Sequence, residues 1–312
     1  MRFSIVIPTY NEEKDIGNTL DCLLKLRYQG KEIVVVDDSN DNTPQIVSSY
    51  EGHGVKLIRP KVRKGRCEAR NIGIRAAEGD VVIILNADVH LPEDFLDRIK
   101  LHYDKGYDSV TVFADVANMK TIYARYLDLL NQKKIVQGVY EQRKTTLNGI
   151  YWSEGFSVRK KIAMKTSLFP SGYVVPIEAG EDVYFADELR KIGCKGIIDD
   201  TIVINHVAPD NLTEYWYVRK GRGAGTAQIR RFINGWSYKK IFSVLVLKIV
   251  KRLLFFSTVI PMVYYNYDLA SYGGRNRVIE TFRLCWCWII EQIAYSVGEF
   301  QSLKKILKKE KF

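Results

Sequence analysis

EIVVVDD, residues 32–38, is the stretch on which the fold turns. Ile33, Val34, Val35 and Val36 form an unbroken β-branched run closed by two acids. A strand with one wet face would alternate apolar and polar residues. A continuous run reads as a strand buried on both faces, the condition of a parallel sheet sandwiched by helices. The same signal repeats on either side, separated by helical periods. Upstream, FSIVI (3–7) is a short strand, followed by Ile16, Leu20, Leu23 and Leu24 at helical spacing. Downstream, Thr43-Pro44 reads as a helix N-cap and first-turn proline, and VKLIR (55–59) is a third strand. Ala69, Ile72, Ala76 and Ala77 mark a helix closed by Gly79; VVIIL (81–85), a helix over 92–102 and SVTVF (109–113) continue the alternation. The pattern predicts an α/β fold with a mostly parallel sheet and helices on both faces. Beyond residue 115 the signals thin to a helix near 119–137, another over 180–193 and a strand over 196–205.

Charge divides the chain. Residues 219–312 hold 18 Lys and Arg against 5 Asp and Glu, whereas residues 1–218 hold 29 against 31. A near-neutral globule with a basic appendage implies an anionic partner. Residues 241–265 and 278–298 are apolar and aromatic but carry Lys248, Lys251, Arg252, Glu280, Arg283 and Glu291. Neither has the run of about 20 apolar residues that spans a bilayer, and both suit helices lying in its interface. The basic residues are not interleaved with any nucleic-acid-binding pattern, so nucleic acid is not an expected partner. The five cysteines (Cys22, Cys67, Cys194, Cys285 and Cys287) are scattered, as reduced thiols are. Met1-Arg2 runs straight into a five-residue apolar stretch, too short for a secretory signal.

Three polar clusters follow predicted parallel strands: Pro8-Thr9-Tyr10-Asn11-Glu12, Asp37-Asp38 and Asn86-Ala87-Asp88. Open α/β sheets bind ligands along that edge. One acid after a strand is ordinary; three clusters on one edge indicate a site.

SIVIPTYNEEKDI, VVVDDSNDNT, GRCEARNIGI, ILNADVHLPED and GEDVYFADELRKIG, in this order, resemble glycosyltransferase family 2, whose members have the GT-A (Rossmann-like) fold and use nucleotide-sugar donors. The resemblance covers about residues 1–225, leaving 226–312 as a basic, aromatic-rich, helical C-terminal region associated with a membrane. It implies that Pro8, Tyr10 and Glu12 cradle the nucleotide and that Asp38 reads the base edge, where a carboxylate accepts from ring N–H groups. Asp37 supports the turn. The basic run 61–66, with Arg70 and Asn71 after it, lies where the family closes over base and phosphates, and Arg70 is the expected donor contact. Asn86-Ala87-Asp88 matches the family's Asp-x-Asp element with an amide in first position. Asp88 is then the ligand of a divalent cation, Mg or Mn, on the donor diphosphate, while Asn86 and Ala87 position the donor. His206 completes the metal site. Asp182, second of the Glu181-Asp182 pair, is the base that deprotonates the acceptor. Arg219 and Arg222 lie in a stretch, 219–223, that resembles the family's mobile cationic loop over the donor.

The expected activity is inverting transfer of one sugar from a UDP-sugar or GDP-sugar to a hydroxyl of a lipid-linked or other glycan. Gln228-Ile229-Arg230-Arg231-Phe232 only approximates the Gln-x-x-Arg-Trp of processive relatives, which favours single transfer. The expected location is the cytoplasmic face of the cell membrane, contacted through the C-terminal region. Two other readings stand beside it. Dolichol-phosphate mannose synthases resemble residues 1–115, which suggests a polyprenyl-phosphate acceptor; Asn86 suggests a non-catalytic nucleotide-sugar binding module.

Overall fold

β1 (Phe3–Thr9) runs between β2 (Lys31–Asp37) and β4 (Val81–Ile84), parallel to both, with Ile5 opposite Ile33 and Ile83. β3 (Val55–Ile58) continues the parallel set beyond β2. The computed structural model describes residues 1–63, 65–136 and 154–310. Ile5, Ile7, Ile33, Val35 and Ile83 bury one sheet face against Ile16, Leu20 and Leu23 and against Phe95, Ile99 and Tyr103. The helix Arg66–Ala76 packs on β1 and β2. Each large apolar side chain so buried contributes about 1.5–3 kcal/mol. Val34 and Val36 are as buried as Ile33 and Val35, as the β-branched run requires of a two-sided strand.

Past β4 the sheet becomes mixed. β5 (Val89–His90), β6 (Ser109–Val116), β7 (Phe156–Arg159) and β8 (Gly196–His206) complete the order β3-β2-β1-β4-β7-β6-β8-β5. β7 is antiparallel to β4, with Phe156 opposite Ile84, and β6 is antiparallel to β7. β6, the expected fifth strand, therefore runs in the same direction as β1 to β4, but a reversed four-residue strand separates it from them. FSVR has no apolar run to announce it: Ser157 is fully buried because the Tyr103 hydroxyl donates to it at 2.7 Å. The sheet is mixed rather than mostly parallel for this reason. Thr43 is also not an N-cap. Asn42 takes that position, and the Thr43 hydroxyl instead accepts from the Glu12 backbone N–H at 2.9 Å.

The chain packs as two units. The first contains the sheet and its covering helices; the second contains the helix Ile122–Val136 and the helices from Ala208 onward. In the second unit the helix Leu212–Gln228 lies along the 34-residue helix Arg277–Glu310. Residues 219–223, expected as a loop, are in the interior of the first of these helices. Gly223 there serves close approach of a neighbouring helix, whereas Gly221 faces open space. A Cβ on Gly223 would fall 2.0 Å from the Tyr295 carbonyl oxygen, and one on Gly298 would fall 1.9 Å from that of Lys220. Arg219 is buried in this packing, paired with Glu291 at 3.1 Å. The helix Tyr238–Thr258 leaves Phe242, Val246, Val250 and Leu254 exposed at four-residue spacing, beside exposed Leu247 and Leu253. Among the described residues, no helix is long and apolar enough to cross a membrane.

Candidate active site

The rim of the sheet where β1, β2 and β4 end is assembled by short polar ties. Asp37, fully buried, accepts from the Thr9 and Ser39 hydroxyls at 2.7 and 2.5 Å and pairs with Arg59 at 3.2 Å, so it supports the turn. Asp38 accepts from the Gly65 N–H at 2.9 Å, which joins it to the loop that opens the helix Arg66–Ala76. Pro8, next to last in β1, lies opposite Val36. Tyr10 is partly exposed, with the Arg63 guanidinium 3.6 Å above its ring. Between Tyr10 and Glu12 the backbone turns through Asn11 at φ +58°, a left-handed conformation that asparagine tolerates. Glu12, half-buried, has its carboxyl pushed up to about 7, first by burial and then by the charge of Asp88.

Asp88 and His206 meet because their strands pair. Val89 of β5 is opposite His206 of β8, and the Val207 N–H donates to the Asp88 carbonyl at 2.9 Å. This register brings His206 Nε2 to 3.2 Å from one Asp88 carboxylate oxygen. The other oxygen, Oδ1, is buried without a hydrogen-bond partner. Ala87 is buried, its carbonyl accepting from the Thr19 hydroxyl at 2.6 Å.

Arg70 ties this loop to the Glu181-Asp182 pair. Its side chain is 1% exposed; Nη1 donates to Glu181 at 2.7 Å and Nη2 to the Asn86 amide oxygen at 3.1 Å. Both terminal nitrogens of the guanidinium are thus engaged within the protein, while its Nε is buried without a partner. Arg66, half-exposed one turn earlier, lies 3.6 Å from the same Glu181 oxygen. Burial alone would raise the Glu181 carboxyl, but Arg70 and Arg66 hold it below the usual range. Asp182 opens the helix Glu181–Lys191, and its carboxylate accepts from the Val183 N–H at 2.8 Å. Its carboxyl is raised, by burial first and by the neighbouring Glu181 charge second, the direction that strengthens a base.

Glu154 is the site residue that sequence reading missed. Its Oε1 accepts from the Asn86 side-chain N–H at 3.3 Å and stands 4.0 Å from His206 Nε2. In an open α/β sheet the polar residues legible in sequence are those at the carboxyl ends of parallel strands. β7 is reversed, so its amino end shares the edge with the carboxyl end of β4, and Glu154 stands two residues before Phe156. Asn86 therefore sits between a cation and an anion, accepting from Arg70 and donating to Glu154. A carboxylate could accept from Arg70 but could not donate to Glu154.

Glu12, Asp88, Glu154, Glu181 and Asp182 are in electrostatic reach of one another through Arg66 and Arg70, the two guanidiniums they share. Such an excess of acid repels an anionic ligand unless a further cation joins it. Among the described residues, no three His, Cys, Asp or Glu side chains form a ready-made metal cluster. Asp88 with its unpartnered oxygen and His206 beside it supply two ligands, which fits a hard cation whose remaining positions are filled by phosphate oxygens and water. Arg219 and Arg222 lie on a helix of the other unit.

The α/β fold is shared with solved glycosyltransferases of the GT-A fold. Staphylococcus aureus TarS, residues 1–349 in complex with UDP-GlcNAc, superposes with a TM-score of 0.55 at 17% identity, covering 96% of this chain and 91% of that one. The mannosyltransferase PcManGT from Pyrobaculum calidifontis, in complex with GDP-Man and Mn2+, superposes at 0.60 and 19% identity, covering 97% and 87%. The chain belongs to glycosyl transferase family 2, whose model matches residues 4–167, just over half its length. Among curated relatives, the poly-beta-1,6-N-acetyl-D-glucosamine synthase of Staphylococcus epidermidis is 28% identical over 76% of this chain. The chain spans 58% of that relative's length. The UDP-Glc:alpha-D-GlcNAc-diphosphoundecaprenol beta-1,3-glucosyltransferase WfgD of Escherichia coli is 26% identical over 58% of this chain and 66% of its own length.

Proposed function

We propose that the protein is an inverting, metal-dependent glycosyltransferase that moves one sugar from a nucleotide-diphosphate sugar to a hydroxyl of a lipid-linked glycan. The observation that carries this reading is the Arg70 bridge, which holds the Asn86-Ala87-Asp88 loop and the Glu181-Asp182 helix start on the same guanidinium. Chemistry at a diphosphate and chemistry at an acceptor need two such groups side by side.

In this reading Tyr10, Glu12 and Asp38 receive the nucleotide, and Asp88 with His206 hold a Mg or Mn ion. That ion would neutralise the departing diphosphate. Asp182 takes the proton from the acceptor hydroxyl, whose oxygen bonds to the anomeric carbon as the bond to the diphosphate oxygen breaks. Attack from the face opposite the leaving group inverts the configuration. The raised Asp182 carboxyl suits proton abstraction near neutral pH. Arg66, half-exposed on the rim, is the cation available to the phosphates.

The lipid-linked acceptor draws on WfgD, whose name specifies a diphosphoundecaprenol substrate, and on the exposed stripe Phe242, Val246, Val250 and Leu254 with the exposed Lys251 beside it. An apolar face edged by cations binds in the headgroup region of an anionic membrane. The enzyme then works on the cytoplasmic face of the cell membrane, where its five free thiols remain reduced.

Calorimetric titration of the full chain with UDP and GDP, with and without Mn2+, tests the core of this reading. One nucleotide binds, Mn2+ strengthens it, and Asp88→Ala removes the Mn2+ effect. Failure of both nucleotides to bind overturns the proposal. Membrane docking is checked by sedimentation with anionic vesicles; a full chain that stays in the supernatant removes that part alone.

A further inference from the structure

Asn86 leaves the Asp-x-Asp element one carboxylate short, yet the fold returns a carboxylate to the same place. β7 enters the sheet antiparallel to β4, with Phe156 opposite Ile84, so the residue two before β7 and the residues just after β4 share one edge. The residue so delivered is Glu154. The Asn86 amide donates to its Oε1 at 3.3 Å, and the same oxygen stands 4.0 Å from His206 Nε2, which in turn is 3.2 Å from Asp88. Asn86, Glu154, His206 and Asp88 thus form one connected group drawn from three strands that are distant in sequence. At its end is the unpartnered, buried oxygen of Asp88.

We propose that Glu154 supplies the second negative charge of the cation site, in place of the acid missing at position 86, and that Asn86 is the positioning residue that holds it there. This rests on the metal-dependent reading above. No three ligating side chains converge among the described residues. Glu154 therefore acts by charge and as an acceptor for water in the cation's shell, the role that outer carboxylates play at metal centres. The amide at 86 is part of the same device. An aspartate there would meet Glu154 as a like charge, whereas asparagine satisfies Arg70 with its oxygen and Glu154 with its N–H.

Mn2+ affinity, read from the electron paramagnetic resonance signal of the free ion in the presence of UDP or GDP, tests this without any turnover. In the full chain, Glu154→Gln lowers Mn2+ affinity about 10–100-fold, the loss typical of an outer-shell partner. The double variant Asn86→Asp, Glu154→Gln moves the charge back to position 86 and recovers most of that loss. Thermal melting accompanies each variant. If Glu154→Gln does not fold, the double variant compared directly with the wild type carries the test, and a weak double variant overturns the proposal. A Glu154→Gln protein that binds Mn2+ as the wild type does also overturns it, leaving the glycosyltransferase reading intact. Absence of Mn2+ binding by the wild type with either nucleotide overturns that reading instead, and this inference with it.

Discussion

Glu299, in the helical unit, is fully buried and holds two cations, Arg230 and, at 3.3 Å, Lys248. Asp88, in the sheet unit, is partly exposed and leaves one oxygen without a partner. The contrast extends to their neighbours. Glu280 holds Arg125 and Glu291 holds Arg219 inside the helical packing, whereas on the rim Arg66 and Arg70 both converge on Glu181, and Glu12, Asp88, Glu154 and Asp182 are reached by one or other of them only through charge. Balanced pairs need nothing from outside; removing one partner leaves a buried charge alone. A surplus of acid lowers the stability of the free protein and is relieved when a cation arrives. Charge is structural in one region and receptive in the other.

Four changes break or sharpen that contrast. The largest effect is expected from Asp182→Asn, which lowers donor-dependent turnover about 10²–10⁴-fold, as loss of a general base does, while calorimetry shows nucleotide binding retained. Appreciable residual turnover would point to an acceptor that is already ionised, such as a polyprenyl phosphate. Next is Glu299→Ala, which strands Arg230 and Lys248 and destabilises the protein by about 3–5 kcal/mol in chemical denaturation. A loss no larger than that of a surface mutation would show these pairs to be dispensable. Gly223→Ala follows, at about 3 kcal/mol, the upper end for overpacking. The added carbon meets the Tyr295 carbonyl, which no rotamer can move aside, and the melting temperature reports it.

The smallest effect is pH-dependent. Burial and Asp88 raise the Glu12 carboxyl to about 7, above its value in the unfolded chain. Between the ordinary carboxylate range and pH 7 the folded state holds more protons than the unfolded one, so stability falls as pH rises through that window. Glu12→Gln flattens the fall in metal-free protein. A melting temperature with the same pH slope in both proteins would show that Glu12 does not feel the rim.

The sheet unit was readable because its signals are local. β1, β2 and β4 are continuous apolar runs, each followed by the polar residues that form the rim, Asp88 among them; Asp182 and His206 lie on later elements and are legible only through the family resemblance. Glu154 and β7 were not legible, because FSVR is short, is half polar, and owes its place to pairing with β4 and to the hydroxyl of Tyr103. The bridge from Arg70 to Glu181 and Asn86 is not legible in the sequence. Whether a guanidinium reaches outward or inward depends on Glu181, 111 positions away. In the helical unit, residues 219–223 read as a loop because the partner of Gly223, Tyr295, lies far along the chain.

Arg70 also bears on how the protein can change over evolutionary time. Its two nitrogens grip Glu181 and Asn86, so the helix start that would meet an acceptor and the loop that would meet a donor hang from one planar group. Lysine, with a single nitrogen, cannot span them. Sugar preference and acceptor preference can drift through the loops around this clamp, but the clamp itself allows neither half to be remodelled alone.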